Sequence, residues 1–174
     1  PAGLWQGTYD NRDWPQGSDR QRHRRGLYTF WRRSSPYPSM TTFDAPSREI
    51  CSVRRIRTNT PLQALVTLND PVYVEAAKAL AGRMIREGGD ELERQITRGF
   101  QLVLGRPPSA EETGRLMMLA EEAMQRYAAD PDQARALLAQ WPGESPSGAD
   151  PAHVAALVVV ANVLLNLDET LTRG

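Results

Sequence analysis

A Thr or Asp residue stands directly before a proline at four places after residue 57: Thr60-Pro61, Asp70-Pro71, Asp130-Pro131 and Asp150-Pro151. Thr and Asp side chains cap a helix N-terminus by accepting a hydrogen bond from a free backbone N–H. Proline suits the first helical position, where its missing N–H costs nothing, and it disrupts a helix interior. Each pair therefore predicts the start of a helix.

Two further helix starts are predicted from capping boxes. Asp90 with Glu93 has the spacing of such a box, and Ser109 with Glu112 has its full S-x-x-E form. Apolar residues recur with helical period after each start. The predicted helices cover residues 61–69, 71–87, 91–104, 110 to about 127, 131–138, and a last helix from 151 onward. This last helix is apolar nearly all round, which predicts a central position. We expect an all-α bundle of five or six mostly antiparallel helices.

The two ends of the chain differ in charge and in aromatic content. Residues 1–57 contain 11 basic and 5 acidic side chains, a net charge of +6, whereas residues 58–174 contain 10 and 16, a net charge of −6. Eight of the 12 aromatic residues precede residue 44. The sequence therefore predicts an irregular, aromatic- and Arg-rich N-terminal arm, residues 1–57, packed on a helical body, residues 58–174, with the two forming one domain.

One short helix is predicted within the arm, near residues 21–33, because Leu27, Phe30 and Trp31 recur at helical spacing. Residues 34–57 contain three prolines and no sustained period, which is typical of loop, with a short extended piece around residues 50–56 as an alternative.

Several classes of site are not supported by the sequence. Cys51 is the single cysteine, and together with His23 and His153 it shows no metal-ligand spacing. There is no CxxCH motif for covalent haem, and no GxGxxG or Walker pattern for a nucleotide. The apolar stretch 154–167 is shorter than the roughly 20 residues that a membrane-spanning helix needs. We therefore expect no metal site, no cofactor in this chain and no membrane span.

Polar side chains are densest around the start of the helix predicted at 61–69. Free N–H groups at a helix N-terminus favour an anion or polar ligand. The alternative is a cap and loop clamp, in which the same side chains bond neighbouring backbone. No catalytic residue is identified, and the candidate ligand or interface cluster consists of Trp14, Arg25, Trp31, Arg54, Arg55, Arg57, Asn59 and Gln63.

Polar residues near the end of the chain are expected to bond other parts of the fold. Asn162 and Asn166 form one stripe on the last helix, and we expect them to bond internal loops such as residues 54–70. Asp168 and Glu169 would oppose the dipole at a helix C-terminus, so we expect an arginine partner, with the arm as its source. The segment 20–33 mixes arginine with aromatics, as nucleic-acid-binding segments do, but the neutral total charge and the absence of a reader motif argue against nucleic acid as a partner.

Four segments carry a resemblance to a known family: RRGLYTFWRR, FDAPSREICSVRRIRTNTPLQALVTLNDPVYVEAA, FQLVLGRPPSAEE and VVVANVLLNLDETL. Together they span residues 24–170, and the chain resembles the C-terminal domain of unknown function of planctomycete-type exported proteins that carry an N-terminal cytochrome-c-like domain. The resemblance implies a fragment of a larger multi-domain protein in the periplasm or at the cell surface. It also implies that haem c belongs to a separate N-terminal domain. It supplies no catalytic residues.

These observations favour a non-catalytic helical scaffold or interaction domain of a larger exported, cytochrome-associated protein, which binds other domains of that protein or a protein partner. One alternative is a carbohydrate-related site, for binding or hydrolysis in a polysaccharide-handling system, built from Trp14 and Trp31 with Asn59 and Gln63. A further alternative is a docking module for a redox partner.

Overall fold

The computed structural model describes residues 24–31, 36–47, 50–54, 57–142, 146 and 148–172. Throughout these residues the regular secondary structure is helical and no strand occurs, so the predicted all-α class is confirmed. The chain separates into two units, Pro1–Thr58 and Asn59–Gly174, which are described in turn.

The N-terminal unit contains little regular structure. Gly26–Tyr28 forms a 3-10 turn, and Pro38–Thr42 forms a one-turn helix, α1, that the sequence did not predict. Of the helix predicted near 21–33, the described part, 24–31, contains only that 3-10 turn, and Leu27 and Phe30, which helical spacing would bring to one buried side, are exposed. Residues 50–54 are bent, without an extended segment, and residues 55 and 56 lie outside the described residues.

A side-chain clamp joins two distant points of this unit. Asp44 has a left-handed backbone conformation, with φ of 58°. Its Oδ2 accepts hydrogen bonds from the Thr58 backbone N–H at 2.7 Å and from Thr58 Oγ1 at 2.8 Å. The clamp closes the base of the loop formed by residues 45–57.

The C-terminal unit is built from helices that start almost where the sequence predicts. They are α2 Pro61–Asn69, α3 Pro71–Gly88, α4 Leu92–Leu104, α5 Ala110–Ala129, α6 Pro131–Leu138, α7 Pro151–Leu165 and α8 Asp168–Leu171. Thr60, Asp70, Ser109, Asp130 and Asp150 each accept a capping hydrogen bond at the start of the helix that follows them. The Ser109–Glu112 capping box is confirmed.

The capping box predicted at Asp90 is wrong. The N-cap of α4 is Glu91, which makes no side-chain cap and pairs with Arg94 at 2.8 Å. The turn before α4 is fixed by Gln95 instead, whose amide Nε2 donates to the Gly89 carbonyl at 2.6 Å. A Cβ on Gly88 would lie 2.5 Å from the Gln95 Cα, so this close approach of two backbones requires glycine.

The core is organised around α7, as its apolar sequence predicts. This helix packs against α2, α3, α4, α5, α6 and α8. Apolar side chains that recur with helical period in α3, α4 and α5 are buried, among them Ala77, Ala81, Met84, Ile96, Phe100, Leu116 and Ala120. None of the helices in the described part of the chain has the length and apolar character needed to cross a membrane.

Lys78, the one lysine of the chain, is buried on α3. Its Nζ donates a hydrogen bond to the carbonyl of Ala139, the C-cap residue of α6, at 2.7 Å. Burial lowers the pKa of the Lys78 amine, and the nearby Glu75 carboxylate opposes that effect. The amine thus satisfies a carbonyl at the end of α6 and holds this helix against α3.

Candidate functional site

Helix α2 buries polar side chains and exposes leucines, the reverse of an ordinary amphipathic helix. Gln63 and Thr67 are each 1% exposed, whereas Leu62, Leu65 and Leu68 are 44–58% exposed. These three leucines, here called the leucine ridge, are spaced three residues apart and follow one another along the same side of the helix.

The buried polar side of α2 is held by specific hydrogen bonds. Thr60 and Gln63 form a capping box: Gln63 Oε1 accepts from the Thr60 backbone N–H at 3.0 Å, and Thr60 Oγ1 accepts from the Gln63 backbone N–H at 3.3 Å. One turn later, the Thr67 hydroxyl donates to Asn166 Oδ1 at 2.6 Å. These bonds compensate the desolvation of the buried polar groups. The bond from Thr67 joins this side of α2 to Asn166 at the end of α7.

A cluster of charged and polar groups lies beside the start of α2, where α7 ends and α8 begins. Asn59 Nδ2 donates to Asp168 Oδ1 at 2.7 Å. The guanidinium of Arg106 pairs with Glu169 at 2.7 Å and with Glu112 at 2.8 Å. Glu169 thus has an arginine partner, as expected. This partner, Arg106, lies on the loop after α4 and not in the arm, which was the expected source.

The electrostatics of this cluster favour stability over proton transfer. Hydrogen bonds from Arg106 and Ser109 lower the pKa of the Glu112 carboxyl to about 2. The two carboxylates raise the pKa of Arg106 in turn, and its guanidinium carbon lies 4.9 Å from the centre of the Phe100 ring. A carboxylate held ionised in this way is a poor proton donor near neutral pH.

Asn162 and Asn166, in α7 and at its C-cap, were both expected to bond internal loops, and one of them does. Asn166 bonds Thr67, within the segment 54–70, as predicted. Asn162 Oδ1 is buried and accepts no hydrogen bond from the described residues.

The candidate residues named from the sequence fall in different parts of the molecule. Asn59 and Gln63 lie together at the start of α2, in the C-terminal unit. In the N-terminal unit, Arg25, Arg54 and Arg57 are exposed and Trp31 is half-buried. Trp14 and Arg55 lie outside the described residues.

Sequence reasoning missed the leucine ridge as a functional feature. The signal was available in LQALVTL, where leucines recur every third residue and Gln and Thr occupy other positions of the helix. Which side is buried depends on the contact between Thr67 and Asn166, and these two residues are far apart in the sequence.

A shallow surface depression of about 400 Å³ lies along α3 and α4. Its side chains are charged or polar and include no aromatic residue. Glu87, in its lining, pairs with Arg83 at 2.8 Å and with Arg98 at 2.6 Å, and these hydrogen bonds lower the pKa of its carboxyl to about 2. In the described part of the chain, no group of three or more His, Cys, Asp or Glu residues could hold a metal ion.

Comparison with known proteins identifies one relationship. The family model PSD1, Protein of unknown function (DUF1553), matches residues 4–120, more than half of the chain. The matched residues include all of α2, α3 and α4. No curated protein and no solved structure matches the chain.

Proposed function

The chain belongs to the PSD1 family of proteins of unknown function (DUF1553), and from this premise we propose that it is a non-catalytic interaction domain whose leucine ridge packs against another domain of a larger parent protein. The observation that carries the proposal is the reversed burial of α2. A helix that buries Gln63 and Thr67 while exposing three leucines gains hydrophobic stabilisation only when a second surface covers the ridge.

The distribution of exposed apolar side chains supports this proposal. Five large apolar side chains are exposed among the described residues of the C-terminal unit, and four of them lie between residues 62 and 72. The exception is Met118 on α5. Single exposed apolar residues are common on protein surfaces, but their concentration in one stretch of the sequence is typical of a chain that contacts a partner there.

The geometry of the ridge favours a helical surface as its occupant. Side chains three residues apart form a continuous row on a helix, and such a row packs into the groove between rows on a facing helix. Helix α2 has nine residues and is therefore about 14 Å long. A contact confined to a helix of that length covers less area than the roughly 800 Å² per partner of a stable free complex.

A short contact becomes effective when the two surfaces are linked, because the linker raises their effective concentration. We therefore place the occupant in the same polypeptide, in keeping with the multi-domain architecture that the resemblance implies. The same resemblance is the basis for proposing an exported protein whose haem c is bound by a separate domain.

Site-specific photo-crosslinking tests the proposal. A photoreactive amino acid is introduced at Leu65 of the natural full-length protein, and the crosslinked peptides are identified by mass spectrometry. Position 118 serves as the control, because Met118 is also exposed and apolar but lies on α5. We expect position 65 to crosslink to one helical segment of another domain, and position 118 to give no such product.

Other results would contradict the proposal. A crosslink between two copies of the chain at position 65 would indicate self-association. Equal yields from positions 65 and 118, or no product from position 65, would mean that the ridge is not covered.

A further inference from the structure

A second surface lies in the N-terminal unit, on the loop of residues 45–57, and it rests on observations independent of the leucine ridge. The clamp between Asp44 and Thr58 joins the two ends of this loop through hydrogen bonds of 2.7–3.0 Å. Between the two clamped ends, the structure describes residues 45–47, 50–54 and 57 of this loop.

The described segment 50–54 of the loop carries exposed apolar side chains. Ile50 is 77% exposed, and Val53 is as accessible as in an extended peptide. Cys51 and Arg54, beside them, are also exposed. Two branched apolar side chains in water, next to an exposed arginine, make a surface that gains free energy from contact with an apolar partner.

The sequence of the loop is strongly basic. It carries Arg48, Arg54, Arg55 and Arg57 against a single acidic residue, Glu49, for a net charge of +3. A local excess of positive charge of this kind favours a partner of opposite charge and accelerates its association. Arginine is also enriched at protein interfaces, because its guanidinium binds carboxylates through two hydrogen bonds.

We propose that the exposed segment 50–54 of this loop, through Ile50, Val53 and Arg54, binds a protein surface on which carboxylates lie beside an apolar depression. A protein is favoured over nucleic acid, because proteins that bind single strands stack bases on aromatic side chains and residues 45–57 contain none. A protein is favoured over lipid, because the aromatic side chains typical of a membrane interface are also missing from this segment.

A selection experiment tests the proposal, and it does not require the natural partner to be identified. A display library of random peptides is selected on the full 174-residue chain and, in parallel, on the double variant Val53→Ser/Arg54→Gln. The matched control is Met118→Ser/Arg135→Gln, which makes the same kinds of change at exposed positions of α5 and α6. Thermal melts establish that both variants remain folded.

The expected pool contains peptides with Asp or Glu beside apolar residues. We expect these peptides to bind the parent chain and the control about tenfold more tightly than the Val53→Ser/Arg54→Gln variant, with the difference decreasing at high salt. Equal binding to all three chains, no enrichment, or a pool without acidic residues would overturn the proposal.

Two further probes distinguish the other sources of negative charge. An oligonucleotide of twenty thymidines and vesicles of anionic phospholipid are tested on the same three chains. If either bound more tightly than the selected peptides and lost that binding in the Val53→Ser/Arg54→Gln variant, the loop would be a nucleic-acid or lipid site and the proposal would be wrong.

Discussion

Helices α2 and α7 begin in the same way and are buried in opposite ways. Each starts at a proline preceded by a capping side chain, Thr60 or Asp150. Helix α7 then buries apolar residues on nearly every side, whereas α2 buries only Gln63 and Thr67. The difference teaches that local capping determines where a helix starts, and that contacts with distant segments determine which of its sides is covered.

The largest expected difference between the two helices concerns their leucines. Leu157→Ala removes a fully buried side chain from the centre of the bundle and should lower the free energy of unfolding by about 2–5 kcal/mol. Leu65→Ala removes a side chain of the exposed leucine ridge and should change it by less than about 0.5 kcal/mol. Urea unfolding of both variants measures the two costs. A cost for Leu65→Ala close to that of Leu157→Ala would show that the ridge is already covered within this chain.

The next largest effect is expected on the polar side of α2. Gln63→Ala removes the acceptor of the Thr60 backbone N–H and leaves buried groups without their partner, so it should destabilise the chain by about 1–3 kcal/mol. Gln125→Ala, at an exposed position of α5, is the control and should have little effect. Thermal melts compare the two variants. An unchanged melt for Gln63→Ala would instead favour a ligand-binding role for this residue.

Removing the N-terminal cap should lower the free energy of unfolding by about the same amount in the two helices. Thr60→Ala and Asp150→Ala each remove a side-chain acceptor at a helix N-terminus, and each should destabilise by about 1 kcal/mol. The measurement is again the midpoint of urea unfolding. A loss confined to Asp150→Ala would mean that α2 is held by its buried polar contacts and does not depend on its cap.

The smallest effect is expected on the pH dependence of stability, and it arises in the charged cluster beside the start of α2. The pKa of Glu112 is about 2 in the folded chain, below its ordinary value of 4.5. The stability that this shift contributes is present above pH 4.5 and is lost as the pH falls towards 2. Glu112→Gln keeps an acceptor for the Ser109 backbone N–H and removes the charge, so its stability should fall less steeply in this window.

Unfolding curves across the acid range measure that slope. The exposed Glu121 on α5 offers a control, since Glu121→Gln should leave the pH dependence of the parent unchanged. A parent-like slope for Glu112→Gln would show that the Arg106 pair contributes nothing to acid stability.

The sequence predicts most of the bundle because the relevant signals are local. A capping side chain followed by proline acts within one helical turn, and five of the six predicted starts carry the expected cap. The cap of α4 was mispredicted because the backbone contact between Gly88 and Gln95, seven residues apart, is not visible in a capping pattern.

The candidate site was less predictable for a related reason. The Thr60–Gln63 capping box lies within a single turn, and the sequence already suggested a clamp there. The contacts of Asn59 with Asp168 and of Thr67 with Asn166 join residues about a hundred positions apart. A pattern in the sequence can indicate that such polar groups need partners, but only the packing of α2 on α7 identifies them.

The position of Lys78 has a consequence for chemical labelling. Because its side chain is buried and its amine donates to the Ala139 carbonyl, reagents and enzymes that modify lysine side chains can reach it only when this hydrogen bond breaks and the end of α6 moves away. The folded chain therefore resists acylation at this position. The rate at which Lys78 is acetylated would report the opening of this part of the bundle, from a natural residue and without any substitution.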